Sequence, residues 1–343
     1  MVNVGCGGGR PVVVTSLVTG AHGFVASHLT RALLERGETV RVLDRPDPRL
    51  ADIGGPRRSA LDLLDLRGQV ELAEGDLRDA EAVSGAVAGC DSVFHLAAQT
   101  IVGVARSSPV ETLEVNVRGA WNVFEACREH GVERVVFASS DKAYGTSSEL
   151  PYREDFPLRA AYPYDASKAA ADIIARSYAQ AYGVPLAVTR FANIYGGGDL
   201  NFSRLIPETT IAVLEGRPPL IRSDGSPERD FLHVDDAVAA YLAIAAALGG
   251  EGARGEAFNA GGERPHSVRE VVDLIAVVAG TGVEPEYLGS GTPDGEIDRQ
   301  FVDSTKLREL TGWRPEVELA QGLRDTLDWY REHPAARPAK VPA

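Results

Sequence analysis

Lysine is nearly missing from this sequence. Only Lys142, Lys168, Lys306 and Lys340 stand among 35 basic residues, and all the others are arginine. A chain that avoids lysine so strongly has a chemical reason for the few it keeps, which directs attention to Lys142 and Lys168 before any motif is read. Cysteine is as scarce. Cys6, Cys90 and Cys127 lie far apart with no pair at metal-ligand spacing, which excludes a zinc ribbon or a disulfide framework and points to a reducing compartment, by default the cytoplasm. No stretch approaches the ~20 apolar residues that span a bilayer. Met1–Arg10 shows no basic region followed by an apolar run, so no secretory signal is expected. Positive charge is outweighed overall, with a formal net charge of -14. That balance repels nucleic acid and anionic membranes, so neither is an expected partner. A phosphorylated ligand then depends on a local group of cations or on backbone N–H groups.

What is present is an ordinary globular composition, 44% hydrophobic and 24% charged over 343 residues, enough for one large domain or two smaller ones. Glycines at 5, 7, 8 and 9 suggest a flexible tail over residues 1–10. Short β-branched runs at Val12–Val18, Val40–Leu43, Val70–Ala73, Ser92–Leu96, Arg134–Ala138 and Leu186–Phe191 alternate with amphipathic segments at Gly23–Glu35, Glu111–Glu129 and Tyr162–Tyr182. Strand, helix, strand in this rhythm predicts a Rossmann-type α/β fold, a doubly wound parallel sheet over residues 11–195. After Gly196–Gly198 the elements shorten between glycine- and proline-rich joints. A smaller C-terminal α/β substrate lobe is expected over residues 196–335, with segments such as Glu256–Asn259 returning to the main sheet.

The segment Thr19-Gly20-Ala21-His22-Gly23-Phe24-Val25-Ala26 follows the first strand and opens the first helix. Glycines there let the backbone approach a pyrophosphate, and the helix N-terminus offers free N–H donors. Gly20, Gly23, Phe24 and Val25 are therefore candidate dinucleotide contacts. Asp44 ends the second strand 24 residues after Gly20, where a carboxylate accepts hydrogen bonds from the adenine ribose and repels a 2′-phosphate. NAD is the expected cofactor, with Arg45 beside Asp44 as a neighbour of the ribose. Asp76 and Leu77 after the third strand are placed near the adenine, and Leu96-Ala97-Ala98 put small residues against the cofactor.

Tyr164 and Lys168 stand at i and i+4, one turn apart on one helical face. A phenol is a poor base near neutral pH, with an ordinary pKa of ~10. A neighbouring ammonium and the positive nicotinamide ring favour the phenolate, which can then take a hydroxyl proton while hydride leaves the same carbon. The hydroxyl partner such a pair needs is Ser140, at the carboxyl end of the fifth strand, where ligands bind in open α/β sheets. His233-Val234-Asp235-Asp236 reads as helix entry with Asp235 as its cap, and no metal site is expected.

Thr19–Phe24, His95–Gln99, Ser139–Gly145, Tyr164–Lys168 and Arg229–Asp236 together resemble, in order and spacing, the extended short-chain dehydrogenases that act on sugar nucleotides. The likeness runs from Val12 to Tyr330. It implies an NAD-dependent nucleotide-sugar enzyme whose substrate is held by Arg229 and Arg299 at the diphosphate and by Asn193 at a phosphate. Gln99 and Arg204 are further substrate contacts. It also implies a homodimer joined through the two long helices, Glu111–Glu129 and Tyr162–Tyr182.

Within that superfamily the residues after the catalytic serine discriminate the reaction. The 4-epimerases carry small or apolar residues there, whereas the 4,6-dehydratases carry an acid–base pair. The string Ser139-Ser140-Asp141-Lys142-Ala143-Tyr144 looks most like the cytidine-diphosphoglucose 4,6-dehydratases. The resemblance implies that Tyr164, Ser140 and Lys168 oxidise carbon 4, that Asp141 protonates the departing 6-hydroxyl, and that Lys142 is the base at carbon 5 or orients that step. Two alternatives stand. Lys142 paired with Asp141 as a structural ion pair favours a 4-epimerase of the UDP-glucose type, and a catalytically silent NAD-binding regulator is the non-enzymatic reading.

Overall fold

The computed structural model describes residues 14–45, 58–292 and 296–338. The glycine-containing tail, Cys6, Lys340 and the first residues of the Val12–Val18 run lie outside them. Six strands follow the sequence rhythm: β1 (Thr15–Thr19), β2 (Thr39–Asp44), β3 (Glu71–Glu74), β4 (Ser92–His95), β5 (Arg134–Ala138) and β6 (Leu186–Phe191). They pair in parallel in the order β6-β5-β4-β1-β2-β3, and the strand Ala257–Ala260 adds beside β6 as a seventh. The expected return of the later chain to the main sheet is therefore present.

The two faces of this sheet follow from the two-residue period of a strand. Val18, Val136 and Ala187 point to one side, where they pack with Leu29 and Leu33 of the helix Phe24–Glu35 and with Tyr241 and Ile244 of the helix Val234–Ala247. Leu17, Val135, Phe137 and Val188 point to the other, against Phe124 of the helix Gly119–His130 and Ala171 and Ala175 of the helix Pro163–Tyr182. Each fully buried Leu or Phe contributes roughly 1.5–3 kcal/mol to this sandwich. The helices end where local chemistry says they should. Pro163 occupies the first turn of its helix, and Gly183 follows the last turn in a left-handed conformation.

Two local expectations are corrected. The single helix expected over Glu111–Glu129 is a helical run from Pro109 to His130 interrupted by one π-turn at Glu114–Arg118. Asp235 does not cap its helix. The strand Phe231–His233 delivers the chain to the helix start at His233, whose Nδ1 accepts from the Asp235 N–H, leaving Asp235 inside the first turn.

The rest of the chain forms small sheets at the carboxyl ends of the main strands. Asn193–Tyr195 pairs with Phe231–His233. Glu228–Arg229 lies between His266–Ser267 and Arg299–Gln300, and Leu220–Ile221 pairs with Glu286–Tyr287. Among the described residues no helix is long and apolar enough to cross a membrane.

Candidate active site

The turn after β1 is built for close approach. Gly20 has φ +80°, donates its N–H to Leu43 O at 3.0 Å, and would carry a Cβ only 2.7 Å from Ala97 Cα. Any side chain here strains the backbone and strikes the β4 loop. Gly23 then caps the helix Phe24–Glu35 without a side chain, and no carboxylate sits in the first turn. Its first N–H groups, those of Phe24 and Val25 included, suit an anion such as a pyrophosphate. Asp44 faces the same turn. Its Oδ2 accepts from His22 N and its Oδ1 from Arg45 N, both at 2.8 Å, which fixes the carboxylate and leaves lone pairs for hydroxyl donors. Asp76 is paired with Arg78 at 2.6 Å, which holds its carboxyl below the usual range, and Leu77 is buried against Gly119.

The β4 end is positioned by residues that sequence reasoning did not single out. Thr19 Oγ1 accepts from Leu96 N and Ala97 N at 3.2 and 3.0 Å and lies 2.8 Å from His95 Nδ1. Because that oxygen already accepts twice, its hydroxyl hydrogen goes to the imidazole. Burial, then the charge of Lys168, pushes His95 down to about 3, so the ring is neutral. Ala98 follows, half-buried. Gln99 departs from expectation. Its side chain folds back on its own loop, donating to Ile101 O at 3.0 Å and accepting from Ile101 N at 2.6 Å, and it does not line the cleft. Asn116, on the π-turn, locks this loop to the helix Pro163–Tyr182 by donating to Gln99 O and Ser167 Oγ, each at 2.9 Å.

A cleft of about 610 Å³ opens beside these loops, lined among others by Val25, Leu220 and Ile221. Ser140, Asp141, Lys142 and Tyr164 all line it, as do Asn193, Arg204 and Arg229. Ser140 caps a short turn, Asp141–Tyr144, accepting from Lys142 N at 3.2 Å and donating to Asp141 Oδ1 at 3.3 Å. Tyr164, buried in the first turn of its helix, is pushed up to about 12 by burial. The charge of Arg204 and the Ser140 hydroxyl draw it back. Lys168 instead donates to Ala138 O at 2.8 Å, with its ammonium 5.6 Å from the Phe137 ring centroid. Burial lowers its pKa to about 8, so it remains protonated at neutral pH. Arg204, rather than the Lys168 ammonium expected to activate Tyr164, is the larger favourable charge in this geometry.

Asp141 is 3% exposed, yet its Oδ2 has no hydrogen-bond partner. Burial raises its carboxyl to about 6, and the charge of Lys142 draws it partly back without a direct ion pair between the two. The structural pairing of Asp141 with Lys142 is thus not what the structure shows.

Elsewhere in the cleft lining Arg229 donates to Glu228 O and Asp298 O at 2.9 Å each and pairs with Glu296 at 3.3 Å. Arg204 pairs with Asp199 at 3.0 Å, and Asn193 donates to Asp230 O at 3.2 Å. Arg299 is not brought to this lining. It is exposed, 2.7 Å from Glu228, because Arg299 and Gln300 alternate across their strand and the buried position falls to Gln300. A second cavity, about 500 Å³, lies between Gly131 and Gly183, away from every one of these groups.

Comparison with known proteins identifies the family. A model of the NAD dependent epimerase/dehydratase family matches residues 16–261. The chain is 34% identical to a UDP-glucose 4-epimerase of Mycolicibacterium smegmatis over 324 residues, 92% of this chain and 98% of the relative. It is also 34% identical to a dTDP-glucose 4,6-dehydratase of Streptomyces griseus over 330 residues, 95% and 97% of the two chains. Among solved structures, a Thermotoga maritima UDP-glucose 4-epimerase with UDP-glucose superposes with a TM-score of 0.83 at 28% identity, covering 93% of this chain and 99% of its own. A Bacillus anthracis dTDP-glucose 4,6-dehydratase in complex with NAD gives 0.81 at 25%, covering 93% and 97%.

Proposed function

The chain belongs to the NAD dependent epimerase/dehydratase family, and from that premise we propose that it is a sugar-nucleotide 4,6-dehydratase, converting a nucleoside-diphosphate hexose to its 4-keto-6-deoxy form. It is an NAD-dependent enzyme of the extended short-chain dehydrogenase type, and its substrates are nucleotide sugars. The residues fit the cofactor: Gly20 leaves room for a pyrophosphate, the uncapped helix start meets its charge, and Asp44 offers a fixed carboxylate to ribose hydroxyls. When bound, NAD supplies the hydride acceptor at carbon 4 and the hydride donor at carbon 6.

The chain's own groups do the rest. Tyr164 takes the proton of the 4-hydroxyl, with Ser140 hydrogen-bonded to the same oxygen and Lys168 holding the loop end at Ala138 O. The ketone so formed makes the carbon-5 hydrogen acidic, and Lys142 removes it or orients that step. Asp141 gives its proton to the 6-hydroxyl, which leaves as water. Arg229, with Arg204 and Asn193, holds the phosphates, while Arg299 enters only if its pair with Glu228 opens. The observation that carries this reading is Asp141 itself. A buried carboxyl raised to about 6, with an unpartnered oxygen on the cleft wall beside Ser140, is a proton donor that a simple epimerisation does not need. The string Ser139–Tyr144 supports a cytidine-diphosphoglucose-like substrate. The second reading is a 4-epimerase, favoured by the equal identity to the mycobacterial enzyme.

Incubation with a panel of nucleoside-diphosphate hexoses separates the two. Loss of one water, with the alkaline ultraviolet absorbance of a 4-keto-6-deoxy sugar, is expected from one nucleotide series and is abolished in Asp141→Asn. An isomer of unchanged mass makes the enzyme an epimerase.

A further inference from the structure

Three buried side-chain atoms near Asp141 lack hydrogen-bond partners: Asp141 Oδ2, Gln300 Nε2 and Gln300 Oε1. Gln300 is fully buried and does not line the cleft. Its backbone is fixed on both sides. The strand Arg299–Gln300 pairs in register with Glu228–Arg229, and Gln300 O accepts from Asp230 N at 3.0 Å. The amide lies close enough to Asp141 to favour its ionised form, although it closes no hydrogen bond to it. A buried amide left unpartnered costs stability, and an apolar side chain of the same shape avoids that cost. The chain nevertheless carries glutamine at this place.

An amide suits one task that no apolar or charged side chain can do. It donates through Nε2 to a carboxylate and accepts through Oε1 from a carboxylic acid. A general acid passes through both forms in every turnover. We infer that Gln300 is a positioning residue for Asp141, turning its amide to pair, directly or through one water, with whichever protonation state the acid holds. The inference rests on the dehydratase reading.

Five titratable or charged groups act on Asp141 or feel its charge: Lys142 from its own turn, Arg229 from the strand Glu228–Arg229, Asp230 just after it, and Tyr152 and Tyr164. Asp230, itself raised to about 7 by burial, accepts from Gly262 N at 2.7 Å. These surroundings stay in place when Gln300 is changed to an apolar side chain of equal length.

The test compares the unaltered holoenzyme with Gln300→Met and Gln300→Glu, reading water loss from the preferred nucleotide sugar across pH, together with thermal stability. For Gln300→Met we expect a melting temperature equal or higher, KM within about twofold, and kcat lower by about tenfold. The descending limb of its pH profile moves to higher pH, because an interaction favouring ionised Asp141 is gone. Gln300→Glu moves that limb further, since a second carboxyl opposes ionisation of the first. Water loss from Gln300→Met with kcat and limb both unchanged overturns the inference alone. So does a drop in melting temperature with lower kcat and no movement of the limb, which assigns Gln300 to the fold. An isomer of unchanged mass from the unaltered enzyme overturns the dehydratase reading and the inference with it.

Discussion

At Asp141 two physical effects oppose each other. Burial disfavours the carboxylate and raises the group from 3.8 to about 6, and Lys142 only partly offsets this. Neutral Asp141 is therefore the better-tolerated form in the fold. Its favourable contribution is complete below the unfolded value near pH 4 and is lost as pH rises through about 6. Asp141→Asn keeps the shape and does not titrate. Relative to the unaltered protein, it should gain about 2 kcal/mol between pH 4 and pH 8, read by denaturant unfolding at each pH. A stability difference that does not change with pH contradicts the account of this residue.

The residues that can be read without a structure are those tied to a fixed local spacing. Tyr164 and Lys168 show themselves by i, i+4 on a helix, and Ser140 by its place after a strand. Thr19, Asn116 and Gln300 do not, because each meets its partner across a long stretch of chain: Thr19 at His95, Asn116 at Ser167, Gln300 beside Asp141. Gln99 and Arg299 lie away from the cleft for the converse reason. Their motif positions suit a ligand, but a loop hydrogen bond and a surface ion pair claim the side chains first.

At the scale of elements, β5 and β6 begin and end where the β-branched runs do, because buried parallel strands need continuous apolar residues. The π-turn at Glu114–Arg118 leaves no such mark in composition, and the cap at His233 depends on where the preceding strand ends. We propose that cofactor binding depends on the turn from β1 into its helix. Gly20→Ala forces a side chain into a left-handed conformation, costing about 1–2 kcal/mol before the contact with Ala97 is counted. The variant should therefore be purified with much less NAD than the unaltered protein, measured in the supernatant after acid denaturation. Full NAD content with an unchanged melting temperature contradicts the role given to this turn.

For the whole molecule, a chain of net charge -14 concentrates Arg204, Arg229 and Lys142 around one cleft at the carboxyl ends of the main strands. There the local cations favour an anionic nucleotide sugar against the repulsion of the surface as a whole. Elsewhere the two long helical runs leave Val110, Trp121 and Ile173 exposed, and we propose that this face pairs with a second copy of the chain. The central claim, that carbon 4 is oxidised only so that water can be lost and carbon 6 reduced, is tested by one labelled substrate. The enzyme is given its preferred nucleotide sugar with deuterium at carbon 4, and the product is read by mass and by proton NMR. The account predicts a product lighter by one water that carries the label in a new methyl group at carbon 6. A product that has kept its water, with the label again at carbon 4 and that centre inverted, contradicts it.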